Sequence, residues 1–189
     1  MIRPWLMRIV LTCAALAACS EREVSVGQYS ITQDVIYEHT HFVDEGLERA
    51  VRRALEKPTG TLGTDELAVL SALQAGSEGV ISLQGIEALS GLVSLYLSDN
   101  ALSDIGPLSA LDRLQVLDLS GNAISDISSL ARLRQLTHLN LDDNELIDIG
   151  PLRMLTRLEV LAVDNNRIRD IGVLALLRRL RSVELSGNP

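Results

Sequence analysis

The feature that most constrains this chain is a 22-residue period that runs from Leu92 to Pro189 without an insertion or deletion. Leu92, Leu95, Leu97, Asn100, Leu102, Ile105, Leu108 and Leu111 set the pattern, and the same spacing restarts at Leu114, Leu136 and Leu158. A fifth copy stops partway, at Leu180, Val183, Leu185 and Asn188. A unit this short cannot bury an aliphatic face alone, so a fixed period of this size means that units stack and share one core. Composition agrees: 47% of residues are hydrophobic but only 3% aromatic, so thin layers of Leu, Ile, Val and Ala must fill the interior.

Within each unit the LxxLxL half predicts a short strand with its leucines inward, and successive strands would form a parallel sheet on a concave side. Asn100, Asn122, Asn144, Asn166 and Asn188 fall in the following turn, where an amide can bond backbone groups of its own and the adjacent turn. Asp104, Asp126, Asp148 and Asp170 each precede an Ile, and predict the caps of short helical turns on the convex side. The pattern resembles the leucine-rich repeat. Asn-x-Ile-x-Asp-Ile-x-x-Leu resembles the 22-residue subclass shared by bacterial internalins and a eukaryotic phosphatase-regulating protein. The expected fold class is an α/β solenoid, a leucine-rich repeat horseshoe with a parallel β-sheet on its concave face and an α-helical N-terminal cap.

Residues 1–19 have the organisation of an export signal. Arg3 and Arg8 make a positive start, and Ile9 to Ala18 is an apolar run of ten residues. A bilayer-spanning helix needs about 20. Leu16-Ala17-Ala18-Cys19 resembles the lipobox of bacterial lipoproteins. That resemblance implies cleavage before Cys19, diacylglycerol on its thiol and acylation (palmitate or a similar chain) of the new amino group. It disfavours the phosphatase association. Cys13 would leave with the signal, so no disulfide can staple the domain. Ser20 after the cysteine resembles the outer-membrane sorting rule of Gram-negative hosts. An ordinary secretory signal with an incidental cysteine is the alternative.

The formal net charge is −8, and loss of residues 1–18 removes Arg3 and Arg8 and no acid, giving −10. Nucleic-acid binding has no support in this balance. Membrane contact is expected through lipid on Cys19 only. The arginines of the convex connections, such as Arg113, Arg132, Arg157 and Arg179, are expected to be a solvated outer face.

Four segments follow: a signal at 1–18, a polar tether at 19–41, a helical cap at 42–79, and repeats at 80–189. The tether could hold at most one short strand, through Val24, Val26, Ile31 and Val35. His39 and His41 have a spacing that could seat a metal, but no third ligand is nearby. In the cap, Leu47, Val51 and Leu55 lie on one face of an expected helix from Asp44 to Leu55, ended by Lys57-Pro58. A second helix, N-capped by Thr64, is expected to carry Leu67, Leu70 and Leu73. Val80, Leu83, Ile86 and Leu89 keep the repeat register, so they are expected to close a half repeat whose strand is replaced by helix. This stretch and the Leu-rich cap before it resemble the N-terminal part of internalin-like proteins.

Strand side chains alternate, so the positions between the leucines face the concave surface. They form three columns: Ser94, Val116, His138, Val160, Ser182; Tyr96, Asp118, Asn140, Ala162, Glu184; and Ser98, Ser120, Asp142, Asp164, Ser186. The partner-binding candidates are Tyr96, Asp118, His138, Asn140, Asp142, Asp164 and Glu184. A matching protein or peptide ligand would be basic or rich in hydrogen-bond donors. Asp142 and Asp164, on adjacent strands about 4.8 Å apart, should repel unless a cation or a partner Arg or Lys lies between them. They are weak metal candidates, with Asp143 and Asn165 as further oxygens. No cofactor is implied. His138 has no cysteine nucleophile beside it, and Ser94 and Ser120 lie on an open sheet without an oxyanion hole, so no enzyme is expected.

Two functions compete. One is a lipid-anchored cell-envelope module that binds protein on its concave face. The other is a structural or assembly protein that pairs, for example as a homodimer, through an uncapped C-terminal repeat where Leu174, Leu177, Val183 and Leu185 would be open.

Overall fold

The structure is a computed structural model that describes residues 24–26, 29–31 and 42–189. The signal segment, Cys13, Cys19, Val35, His39 and His41 lie outside the described residues. Strands β1 (Val24–Val26) and β2 (Tyr29–Ile31) pair antiparallel, so this stretch holds two short strands where one at most was expected. The described residues 42–189 lie in a separate compact unit.

That unit opens with helix α1 (Glu45–Ala54), which buries Leu47, Ala50 and Val51. Asp44 starts it: one carboxylate oxygen accepts the N–H groups of Gly46 at 2.8 Å and Leu47 at 3.1 Å. The other oxygen accepts those of Ile81 at 2.8 Å and Ser82 at 3.3 Å, so one side chain both caps the helix and clips it to the first loop of the solenoid. Burial works against the Asp44 charge, but the donors at Ile81, Leu47, Ser82 and Gly46 outweigh it and hold the carboxyl below its ordinary range. Gly46 must be glycine here, because a Cβ would lie 2.5 Å from the carbonyl oxygen of Glu78.

Helix α2 (Thr64–Ala68) starts where it was expected, with Gly63 rather than Thr64 as its cap; the Gly63 N–H donates to the Glu66 carboxylate at 3.1 Å. It is far shorter than expected. Leu73 belongs to strand β3 (Ala72–Gln74), paired in parallel with β4 (Ser94–Tyr96) in the register Leu73↔Leu95. The spacing of Leu67, Leu70 and Leu73 suits a helix, but Leu70, Leu73 and Ala75 also stand 22 residues before Leu92, Leu95 and Leu97. Pairing decides between the two, since the Val93 N–H donates to Ser71 O at 2.8 Å and the Ala75 N–H to Tyr96 O at 2.8 Å. The first repeat therefore keeps its strand.

Strands β5 (Val116–Asp118), β6 (His138–Asn140), β7 (Val160–Ala162) and β8 (Ser182–Glu184) continue the sheet, and its six strands follow in sequence order, all parallel. A 3-10 helix follows each of strands β3 to β7, at Ile86–Ala88, Gly106–Ala110, Ser128–Arg132, Gly150–Met154 and Gly172–Leu176. In the last four the N-cap is Ile105, Ile127, Ile149 or Ile171 rather than the expected aspartate; Asp104, Asp126, Asp148 and Asp170, one residue earlier, each accept the first helical N–H, two residues on, at 2.7–2.8 Å. Between sheet and helices the aliphatic layers are closed to water, with Leu95, Leu97, Leu102 and Leu108 at 0% exposure.

The asparagine ladder holds the turns. The Asn144 amide N–H2 donates to Leu119 O at 3.0 Å and Leu141 O at 3.1 Å, while its oxygen accepts the Ile124 N–H at 3.0 Å. Asn122 and Asn166 repeat the arrangement one turn to either side. The residue before each ladder asparagine is left-handed: Asp99, Gly121, Asp143, Asn165 and Gly187 have φ from 53° to 72°. Asp, Asn and Gly are the types that tolerate this conformation.

Candidate functional site: the concave sheet

All three expected columns form, each one residue longer than anticipated. Pairing β3 with β4 adds Ala72, Gln74 and Gly76 at the head of the columns. The first column runs Ala72, Ser94, Val116, His138, Val160, Ser182, and the second Gln74, Tyr96, Asp118, Asn140, Ala162, Glu184. The sequence missed the head because the helical spacing of the cap leucines masked β3. Tyr96, Val116 and Val160 are half-buried and His138 is exposed, so the face mixes apolar patches with its polar groups.

Several candidate side chains are committed to the fold. Asp118 accepts the Ser120 N–H at 3.0 Å and the Ser120 hydroxyl at 2.7 Å. Asn140 accepts the Asp142 N–H at 3.0 Å. His138 Nδ1 lies 3.0 Å from the Thr137 hydroxyl. Ser94 sits on β4, two strands from His138 on β6, too far for a proton relay at about 4.8 Å per strand.

Asp142 and Asp164 each find a backbone donor, which relieves their expected conflict in part. Asp142 Oδ1 accepts the Asp164 N–H at 2.6 Å, and Asp164 Oδ1 accepts the Ser186 N–H at 2.5 Å. Each carboxylate caps the next strand rather than facing its neighbour. Repulsion persists in weaker form: burial raises the Asp142 carboxyl above its ordinary range, and Asp164, Glu184 and Asp143 add to the rise. Asp143 and Asn165 also have a local role, since their backbones take the left-handed turn and the Asn165 amide donates to Asp143 at 2.9 Å. Among the described residues, no three His, Cys, Asp or Glu side chains converge as a metal site, and no helix is long and apolar enough to cross a membrane.

Residues 90–132 and 134–176 match a family model described as Leucine Rich repeats (2 copies). These two segments are leucine-rich repeats. No curated protein sequence matches the chain. Among solved structures, an internalin (InlF) from Listeria monocytogenes is 29% identical with a TM-score of 0.60, over 78% of this chain and 57% of the internalin. A leucine-rich repeat protein of Leptospira interrogans is 27% identical with a TM-score of 0.62, over 66% of this chain and 33% of that one. A plant peptide hormone receptor in complex with RGF2 is 30% identical with a TM-score of 0.51, over 55% of this chain and 18% of the receptor. The chain thus spans little more than half of the internalin. Leucine-rich repeat domains are typically protein-interaction modules.

Proposed function

We propose that this protein is a cell-envelope binding module that holds a protein or peptide ligand on the concave face of its repeats. The observation that carries it is the continuous parallel sheet on which exposed and half-buried Tyr96, Val116, His138 and Val160 lie beside the carboxylates of Asp118, Asp142, Asp164 and Glu184. Apolar side chains supply contact area, and the acidic strip selects basic or donor-rich ligands. The relative solved with RGF2 supports it by analogy of fold only.

The test is selection of a displayed random-peptide library on the protein. Basic peptides should be enriched, and should bind at least about tenfold more weakly to the combined variant Asp118→Asn, Asp142→Asn, Asp164→Asn, Glu184→Gln. Asparagine keeps the oxygens that accept the Ser120, Asp164 and Ser186 N–H groups, so the fold is retained. Enriched peptides that bind this variant equally well would move the site elsewhere.

The lipid anchor is part of the same proposal and rests on Leu16-Ala17-Ala18-Cys19. Palmitate fed to producing bacteria should label the protein and partition it to membranes, to the outer one in a Gram-negative host, and Cys19→Ser should abolish both. A second reading is association through the last repeat. Ile171 is 50% exposed, while Ile149, its counterpart one repeat before, is at 0%; Leu176 beside it is 58% exposed. Light scattering that shows a dimer dissolved by Leu176→Arg would favour it.

A further inference from the structure

A parallel sheet sends every strand in from one flank of the solenoid and out at the other. The sequence loads these flanks with opposite charge. Residues 109–115, 131–137, 153–159 and 175–181, which lead from the 3-10 helices into the strands, hold eight arginines against Asp112 and Glu159. Residues 98–104, 120–126, 142–148 and 164–170, on the outgoing flank, hold nine carboxylates against Arg167 and Arg169. The net charge of −8 hides this separation.

The two flanks also differ in what their charges do. Six carboxylates of the outgoing flank (Asp104, Asp126, Asp142, Asp148, Asp164 and Asp170) accept backbone N–H groups, which fixes them to the turns while they keep their charge. The arginines of the incoming flank are all exposed. Among the described residues only one of them, Arg181, has an ion-pair partner, Glu159 at 3.6 Å. Arg178, Arg179 and Arg181 line a shallow hollow with Leu180 and Glu159. Arg157 is bonded to the Gln135 side chain, and the six other guanidinium groups, spread over four successive repeats, suit an extended array of phosphates.

We propose that the arginine flank lies against the anionic phosphate headgroups of a lipid surface. This takes the membrane placement proposed above as its setting, and it replaces the expectation of contact through lipid alone. A chain held down by its N-terminus would then be oriented by its flank, with the concave sheet standing across the membrane plane and open to a ligand.

The experiment is co-sedimentation of the full chain with large vesicles of phosphatidylcholine, with or without a third of phosphatidylglycerol. It compares wild type with Arg178→Gln/Arg179→Gln and with Arg167→Gln/Arg169→Gln, which removes the same charge from the opposite flank. Wild type should bind the anionic vesicles more tightly, with loss of the difference at high salt. Arg178→Gln/Arg179→Gln should weaken that binding about tenfold or more, and Arg167→Gln/Arg169→Gln should leave it unchanged. All three share one N-terminus, so acylation contributes equally and its failure would show separately, as loss of palmitate label. Equal binding to both vesicles, equal weakening by both variants, or salt-sensitive sedimentation without vesicles would each overturn the proposal. The last of these would assign the flank to a second copy.

Discussion

The Asn144 side chain makes four hydrogen bonds to backbone groups, and it is 7% exposed. Asn144→Ala would strip donors from three carbonyls and an acceptor from the Ile124 N–H, in a place water cannot reach. The expected cost is about 2–4 kcal/mol, read as a lower urea midpoint. Asn188→Ala, at the more open last turn, should cost visibly less. Asp44 acts by the same logic with a charge added. Asp44→Ala should destabilise by about 2 kcal/mol near neutrality, as a lost cap plus two orphaned loop donors. Its folded carboxyl lies below the ordinary value of 3.8, so its contribution is full above that pH and is lost as pH falls through the lower folded value. Asp142 has the opposite sign. Its folded carboxyl is raised, so stability falls as pH rises from 3.8 through that higher value, and at neutral pH the charge is a burden. Asp142→Asn should leave stability unchanged or raise it at neutral pH. Any gain should vanish in acid, as followed by thermal melts at the two pH values.

At the scale of elements, three-residue strands and single 3-10 turns have little stability of their own, and packing of the aliphatic layers holds them. Leu139→Ala, in the middle of the sheet at 2% exposure, should cost about 2–5 kcal/mol. Val183→Ala, partly exposed on the last strand, should cost about 1 kcal/mol or less, because the site is already half open to water. Comparing the two denaturation midpoints checks whether stability declines toward the final repeat, as nearest-neighbour stacking requires. The element misjudged from sequence lies at the other end. Leu67, Leu70 and Leu73 satisfy a helical period and a repeat period at once, and only the ladder from Ser71 to Ala75 against β4 chooses between them.

For the whole molecule, the period of 22 was enough to specify the solenoid, because a side-chain pattern repeated without slippage admits one stacking register. It fixed the leucine layers, the asparagine ladder, the aspartates before the 3-10 helices and the membership of the concave columns from Ser94 to Ser186. Each depends on residue type at a fixed offset. Three things waited for tertiary structure. The strand at Ala72–Gln74 depends on a partner that the local sequence does not contain. The partial relief of Asp142 and Asp164 depends on where the N–H groups of Asp164 and Ser186 point, which a column of residue names cannot show. The division of charge into two flanks emerges only when parallel strands bring segments 22 residues apart side by side. Periodicity is a local property carried along the chain. Pairing, carboxylate direction and flank charge are relations between turns, and they exist only once the turns are stacked.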